Sequence, residues 1–338
     1  MSKRNMKQWV AGVIASPKKA ALPVLSFPSV QLMGITVKEL ISAGELQARG
    51  MKLVADRTPM AASVSLMDLS VEAEAFGSTV RVSDDEVPTV IGAIVSDEDG
   101  ADALRVPKVG DGRTGINVDG IRRAAELIQD RPVFAGVIGP FSLAGRLMDV
   151  SEALVYCYDE PDMVHTVMKK ATAFLIDYCN AYKAAGADGV LLAEPLTGLL
   201  SPALAQEFSH PYVKELIDAV QSDDFAVFYH NCGNTVPQMA KDVYALGAMG
   251  YHFGNCIDMA SVMDAAPGDV LVMGNVDPAG ELRNGTPDSV RAATRRVMDS
   301  CSRYPNFVVS SGCDIPPLTP WENIDAFFGA VEDFYGNP

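Results

Sequence analysis

Short apolar runs alternate along the chain with longer segments whose apolar residues recur at helical spacing. The runs cover residues 22–27, 63–67, 133–138, 189–193, 225–229, 249–253, 270–274 and 307–310. Buried parallel strands have near-continuous apolar sequences, and strand-helix alternation is typical of a parallel sheet. The eight runs therefore predict an α/β fold, a (β/α)8 or TIM barrel, as a single domain over residues 1–338.

Helices are expected in the segments between these strands. The predicted helices cover residues 37–54, 118–128, 160–184, 201–220, 235–245, 259–265, 286–300 and 319–334. Gly44 and Gly50 weaken the first of them, because glycine is a poor helix former. Pro202 stands in the first turn of the fourth, where proline is well tolerated.

Residues 77–131 break the strand-helix rhythm. Residues 79–82 alternate between polar and apolar, and residues 90–95 form a second β-rich run, so we expect a hairpin. The glycine-rich residues 109–113 are typical of a loop. The pattern predicts an insertion that contains a hairpin after the second strand, and an N-terminal extension before the first strand.

Composition narrows the class of protein further. The 338 residues are 48% hydrophobic and 21% charged, which gives a globular chain an ample core. A net charge of −16 argues against nucleic acid or an anionic membrane as a partner. No apolar stretch is long enough to span a membrane, and the start of the chain lacks the apolar core of a signal peptide, so we expect a cytoplasmic protein. The six cysteines are scattered, which favours free thiols over a disulfide framework.

The most informative chemistry follows two of the predicted strands. His230 and Cys232 stand two positions apart after the run 225–229, so an extended backbone places both on one side. Cys313 follows the run 307–310. One histidine and two cysteines with a fourth place open form the ligand set of a catalytic zinc site. The alternative is a satisfied core histidine with two buried thiols.

Other polar residues also follow strands, at the end of a barrel where catalytic groups gather. Asp68 and Glu194 are candidate catalytic residues, and His252, Asn275 and Asp277 are candidate cofactor contacts. Each has a structural alternative. The aspartate at the second strand would hold loops, and the glutamate would cap a helix or loop. The histidine would pack in the wall, and the last two residues would form a turn.

A series of motifs along the chain resembles a known family. The motifs are residues 67–77, residues 185–189 with Glu194-Pro195 and 199–202, residues 230–234, residues 273–278, and residues 312–317 with Thr319-Pro320 and Asn323-Ile324. The series resembles the uroporphyrinogen decarboxylase superfamily, and within it the branch of methylcobamide:coenzyme M methyltransferases and related corrinoid-dependent enzymes. The resemblance covers roughly residues 23–334, and the His-x-Cys pair with the later Gly-Cys-Asp is its most specific part.

The resemblance implies a TIM barrel with zinc bound by His230, Cys232 and Cys313. It also implies transfer of a methyl group from a methylated corrinoid, such as methylcobalamin on a separate small corrinoid-binding protein, to a zinc-activated small-molecule acceptor. Coenzyme M or another thiol is the expected acceptor, and a folate is an alternative. The resting fourth ligand is open among water, Glu194, His252 and Cys256.

Three alternatives remain at this stage. The same site could demethylate a donor and pass its methyl group to a Co(I) corrinoid. A metal-free decarboxylase would depend on Asp68, but residues 25–33 lack the paired arginines with which the decarboxylases grip substrate carboxylates. A non-catalytic binding protein on a barrel scaffold would have an incomplete ligand set.

Overall fold

Parallel strands form the central sheet of the computed structural model, which describes residues 3–336. The strands are β1 (Ser63–Val64), β2 (Thr79–Arg81), β3 (Thr89–Ile91), β4 (Val133–Ile138), β5 (Gly189–Ala193), β6 (Ala226–Asn231), β7 (Gly250–Phe253), β8 (Leu271–Val276) and β9 (Phe307–Ser311). All except β2 and β3 form one parallel sheet in the order β1-β4-β5-β6-β7-β8-β9. This curled sheet is the wall of the TIM barrel that the sequence predicts.

The extended segment 20–27 occupies the place of the remaining barrel strand. The Leu22 N–H donates to the Val309 carbonyl at 3.0 Å, and the Ala61 N–H donates to the Ala21 carbonyl at 2.9 Å. The segment therefore lies between β9 and β1. The prediction of a regular strand at 22–27 is wrong, because Pro23 has no N–H and the Val24 N–H bonds the Ser311 hydroxyl instead of a carbonyl.

Helices follow the strands around the barrel. They are α1 (Met6–Ala15), α2 (Ser29–Met33), α3 (Val37–Leu40), α4 (Gly44–Arg57), α5 (Val71–Ala75), α6 (Glu98–Ala103), α7 (Thr114–Leu127), α8 (Pro140–Met148), α9 (Val150–Asp159), α10 (Pro161–Ala184), α11 (Pro202–Phe208), α12 (His210–Val220), α13 (Ala240–Tyr244), α14 (Met259–Met263), α15 (Pro287–Cys301) and α16 (Trp321–Gly336). Two 3-10 segments, Pro195–Leu199 and Val236–Met239, and one π-helical segment, Pro278–Arg283, complete the set.

Two of the predicted helices are each divided into two α-helices, and the helix expected at 235–245 begins as the 3-10 segment Val236–Met239 before α13. The helix expected at 37–54 becomes α3 and α4, with Ala43 in an extended conformation just before Gly44. The helix expected at 201–220 becomes α11 and α12, which Ser209 separates just before Pro211 in the first turn of α12. Proline cannot continue an existing helix without losing a backbone hydrogen bond, whereas it fits a first turn. The sequence pattern did not predict α8 and α9.

The strands β2 and β3 form the expected antiparallel hairpin after β1, with Thr79 opposite Ile91. The helix α7 also lies within residues 77–131, and it packs against α4 and precedes β4. The insertion therefore includes a helix of the barrel's outer layer as well as the hairpin. The division of the chain into one domain stays a prediction.

The amino-terminal end of the barrel is closed by α1. The Trp9 ring lies 6.4 Å from the rings of Phe134 and Phe228, and those two rings lie 4.6 Å apart. This aromatic cluster fills one end of the barrel interior, so the opposite end is left for polar side chains. In the described part of the chain, no helix is both long enough and apolar enough to cross a membrane.

Candidate active site

His230, Cys232 and Cys313 meet at the carboxyl ends of β6 and β9. The strand β6 continues through Asn231, so the pleat places His230 and Cys232 on one side, as their spacing requires. The His230 Nε2 lies 3.7 Å from the Cys313 Sγ. The Cys232 and Cys313 thiols also interact, and each shifts the pKa of the other. The structure thus brings together the three side chains that the sequence predicts as metal ligands.

His252 holds the His230 ring from the neighbouring strand. The two residues are paired in register between β6 and β7, and their Nδ1 atoms are 2.6 Å apart. The His252 Nε2 lies 2.8 Å from both the Ser310 hydroxyl and the Ser311 carbonyl oxygen. A carbonyl oxygen only accepts hydrogen bonds, so the His252 Nε2 carries a proton.

This network fixes the tautomer of His230. Burial lowers the pKa of His252 well below its usual range, so the ring is neutral and its Nδ1 is an acceptor. The His230 Nδ1 must then carry a proton and donate it to His252. The His230 Nε2 is left with a lone pair facing Cys313, which is the arrangement that a metal-binding imidazole needs.

The two thiols have different acidities in this arrangement. The interaction with Cys313 lowers the pKa of Cys232. The same interaction, together with burial, raises the pKa of Cys313 to about 12. Without a cation nearby, Cys232 is therefore the thiol that ionises first, and a divalent cation would be needed to make both of them thiolates.

One donor pair, His230 and Cys313, has a spacing close to that of a zinc site. Among residues 3–336, no group of three or more His, Cys, Asp or Glu side chains meets the geometry of a metal site. However, zinc with Zn–S of roughly 2.3 Å and Zn–N of roughly 2.0 Å separates a tetrahedral N–S ligand pair by roughly 3.5 Å. The observed 3.7 Å between His230 Nε2 and Cys313 Sγ is close to this value. The donor types and this one distance are compatible with zinc, and zinc binding at these residues stays a prediction.

Glycines allow the backbone around Cys232 to pack closely. A Cβ on Gly254 would lie 2.5 Å from the Cys232 Cα. A Cβ on Gly233 would lie 2.5 Å from the Gly198 carbonyl carbon, and one on Gly198 would lie 2.7 Å from the Gly233 nitrogen. No side chain fits at these contacts, which explains the glycine directly after Cys232.

Glu194 follows β5 in the chain, and its carboxylate lies at the start of α8. Its fully buried carboxylate accepts hydrogen bonds from the backbone N–H groups of Ser142 at 2.6 Å and Phe141 at 3.2 Å. Burial raises the pKa of Glu194 to about 7. The carboxylate therefore acts as a helix cap here, and its predicted catalytic role stays a prediction.

Cys256 also lies beside the site, where its exposed thiol donates to the Cys232 carbonyl oxygen at 2.9 Å.

Asp68 pairs with Arg113 and accepts a hydrogen bond from the Ser70 hydroxyl at 2.5 Å. Arg113 also contacts Glu74 at 2.6 Å. The Asp68 carboxylate is thus held in an ion-pair network, and its predicted catalytic role is not tested by this geometry.

Asn275 and Asp277 hold loops of the barrel rim. The Asn275 Nδ2 donates to the carbonyls of Gly254 at 2.8 Å and Ile257 at 2.6 Å. The Asp277 Oδ1 accepts from the N–H groups of Ala279 and Gly280 at 2.9 Å. Both side chains therefore stabilise loop backbone by hydrogen bonds, and their predicted contacts with a cofactor stay predictions.

A cavity of about 70 Å³ opens beside His230 and Cys313, and we call it the inner cavity. Its remaining walls are Val24, Met67, Leu69, Leu191, Ala193, Pro195 and Asp314. The sequence did not single out Asp314, although it directly follows Cys313. Both of its carboxylate oxygens are buried without a hydrogen-bond partner among residues 3–336. Burial raises the pKa of Asp314 well above its usual range, although the nearby N–H groups of Met67 and Ile315 oppose this.

Comparisons with known proteins agree with this architecture. The model of the uroporphyrinogen decarboxylase (URO-D) family matches residues 24–334. The methylcobamide:CoM methyltransferase MtbA of Methanosarcina mazei is 27% identical over 275 residues, which are 79% of this chain and 78% of that protein. A uroporphyrinogen decarboxylase of Coxiella burnetii is 28% identical over 292 residues, 82% of this chain and 78% of that protein.

Two solved structures share the fold. A methyltransferase from Methanosarcina mazei superposes with a TM-score of 0.85 at 24% identity, covering 99% of this chain and 100% of that one. A B12-independent methionine synthase from Shewanella superposes with a TM-score of 0.65 at 11% identity, covering 95% and 96%. At these identities the likeness concerns the fold alone.

Proposed function

Since the chain belongs to the uroporphyrinogen decarboxylase family, we propose that it is a corrinoid-dependent methyltransferase of that family. It moves a methyl group from a methylated corrinoid, carried by a separate small protein, to a small thiol acceptor activated by zinc. The similarity to methylcobamide:CoM methyltransferases supports this choice. The observation that carries it is the meeting of His230, Cys232 and Cys313 at one end of the barrel, with the His230 lone pair directed at Cys313.

The chain's own residues supply the metal-binding groups. His230 through Nε2, and Cys232 and Cys313 through Sγ, would hold zinc and leave one coordination place open. When held by these residues, zinc would keep an acceptor thiol deprotonated near neutral pH and still reactive. His252 maintains the tautomer of His230 that this requires.

The inner cavity shelters the acceptor. Its apolar walls, such as Met67, Leu69 and Leu191, exclude water from the sulfur, which makes the thiolate a better nucleophile. At about 70 Å³ it has room for roughly five water-sized groups, so only the short thiol end of an acceptor fits inside. The corrinoid is far larger and must approach from the open end of the barrel.

The proposed reaction is a nucleophilic substitution at carbon. The acceptor thiolate attacks the methyl carbon, and the S–C bond forms as the Co–C bond breaks. Both electrons of the broken bond stay on cobalt, which passes from Co(III) to Co(I). The product is a thioether, a weaker ligand than a thiolate, so it can leave. The same residues could also serve the reverse direction, from a methyl donor to a Co(I) corrinoid.

A decarboxylase is the second candidate, because Coxiella burnetii uroporphyrinogen decarboxylase is also similar and Asp68 is buried near the same end of the barrel. Two observations oppose it. Residues 25–33 contain no arginine to grip the substrate's carboxylates. The carboxylate of Asp68 is already paired with Arg113.

The test compares cysteine variants of the full chain. We expect Cys313→Ala to lose most of its bound zinc and its turnover of methylcobalamin with small thiols. Cys157→Ala is the control, because Cys157 is a buried thiol on α9 outside the site. Zinc is measured by mass spectrometry of the purified protein, and turnover by the visible absorbance of the corrinoid.

The proposal fails if Cys313→Ala keeps stoichiometric zinc and unchanged turnover. It also fails if the purified wild-type protein carries no zinc and decarboxylates uroporphyrinogen in the presence of a chelator. Wild-type transfer from a methylated donor to a Co(I) corrinoid, with none to thiols, would keep the zinc site and reverse the direction.

A further inference from the structure

Arg146 on α8 carries a partly buried positive charge. Within residues 3–336, its guanidinium makes neither an ion pair nor a hydrogen bond, and burial alone lowers its pKa. A guanidinium that has lost part of its contact with water gains more from an anionic partner than a fully solvated one does. The guanidinium of Arg146 is therefore a candidate group for binding an anion.

Arg146 lines a second cavity of about 230 Å³, which we call the outer cavity. The other walls come from the loop after β1, including Met67, Leu69 and Ser70, and from residues 87–90 of the hairpin. None of these residues is charged. The cavity thus offers one positive group in surroundings with no competing carboxylate on its lining.

The outer cavity adjoins the inner cavity. Met67 and Leu69 line both of them, so a ligand could extend from Cys313 in one to Arg146 in the other. No lysine or arginine lines the inner cavity, whereas Arg146 lines the outer one. An acid-bearing ligand would therefore direct its acid outward and its neutral or sulfur end inward.

We propose that Arg146 in the outer cavity binds the carboxylate or sulfonate of the methyl acceptor while the acceptor's thiol lies in the inner cavity. A carboxylate or a sulfonate presents two oxygens that can accept paired N–H···O bonds from the guanidinium fork. The position of the thiol end rests on the proposed function. The anion site at Arg146 rests only on the charge, its missing partner and the cavity.

The anion site is tested first by a binding measurement that involves no methyl transfer. The probe is ethanesulfonate, which has the acid group but no thiol, titrated by calorimetry into the wild type, Arg146→Met and Arg105→Gln. Arg105 is an exposed arginine outside both cavities, so its variant removes the same charge. We expect binding by the wild type and the control variant, and at least about tenfold weaker binding by Arg146→Met, since a charged hydrogen-bonded pair of this kind is lost. Equal binding by all three proteins, or none by the wild type at millimolar concentration, overturns the site.

The second arm compares two acceptors with methylcobalamin as donor. They are 2-mercaptoethanesulfonate and 2-mercaptoethanol, which share the thiol end and differ in charge. We expect Arg146→Met to lower kcat/KM for the sulfonate at least about tenfold, mainly through KM, and to leave the neutral thiol and the KM for methylcobalamin unchanged. Arg146→Lys should recover part of the loss. A loss that is equal for both thiols, or that appears in the KM for methylcobalamin, contradicts the assignment.

The two arms separate the two hypotheses. If ethanesulfonate binds through Arg146 but neither thiol is methylated, the anion site stands and the proposed methyl transfer falls. If both thiols are methylated equally well by Arg146→Met and the wild type, the methyl transfer stands and the role of Arg146 falls.

Discussion

The Nδ1 atoms of His230 and His252 lie 2.6 Å apart, and the far nitrogen of the His252 ring is bound to the Ser311 carbonyl. Because a carbonyl can only accept, this contact determines where the protons of both rings reside. The basicity of the His230 Nε2 therefore depends on a residue that does not face Cys313 itself. His252 is a positioning residue for the candidate metal site.

This relationship predicts an effect of His252 on zinc affinity. Replacing His252 with Phe removes the acceptor for the His230 Nδ1 proton, and we expect zinc affinity to fall about 10–100-fold. His252→Gln can accept and donate through one amide, so its loss should be smaller. Competition with a chromophoric chelator measures both affinities. Equal losses in the two variants, at matched thermal stability, would argue that His252 only fills space.

Gly254 should be intolerant of any side chain. A Cβ at this position would lie 2.5 Å from the Cys232 Cα, so Gly254→Ala must displace Cys232 or its own loop. We expect about 1–3 kcal/mol of destabilisation and reduced zinc content. Gly268→Ala is the matched control, because a Cβ there meets nothing within 4 Å. Urea unfolding and metal analysis provide the measurements, and indistinguishable behaviour of the two variants would contradict the close packing.

Glu72 should make the stability of the protein depend on pH. Its carboxyl is fully buried, and burial raises its pKa from 4.5 to about 8. The native state thus keeps a proton that the unfolded chain releases above about pH 4.5. The free energy of unfolding should fall as pH rises from about 4.5 to about 8, by up to about 1.4 kcal/mol per pH unit, and level off above that.

Glu72→Gln should remove this contribution. The amide oxygen can still accept the hydrogen bond from the Ile138 N–H, which the carboxyl receives at 3.1 Å. The variant should be close to the wild type near pH 4.5 and more stable than it near pH 8. Denaturant unfolding at a series of pH values measures the difference, and parallel profiles for the two proteins would refute the assignment.

Glu194 variants should separate a helix cap from a catalytic group. Glu194→Ala leaves the N–H groups of Ser142 and Phe141 without an acceptor, and we expect a loss of about 1–3 kcal/mol. Glu194→Gln keeps an acceptor oxygen, so zinc content and methyl transfer should stay within a few-fold of the wild type. A fall of orders of magnitude in turnover, with zinc and stability intact, would show that Glu194 takes part in the reaction.

Much of the barrel was predictable because buried strands carry their signal locally. The strands predicted at 133–138 and 189–193 match β4 and β5 to the residue. The first wall segment was only partly predictable, because Pro23 prevents a regular ladder that its apolar sequence otherwise favours. The sequence does not predict α8, because the helix has only nine residues and contains Gly145, a poor helix former.

The sequence by itself determined the alternation of strands and helices and which side chains follow the strands. His230, Cys232 and Cys313 could be named in advance, because the carboxyl ends of parallel strands share one end of a barrel. Only the tertiary structure decided what each polar group contacts. It placed the Glu194 carboxylate at the start of α8, aligned His252 with His230, and gave Arg146 no partner within residues 3–336. Spacing along one strand fixes the side to which a residue points, whereas its hydrogen-bond partners come from elements that are distant in the chain.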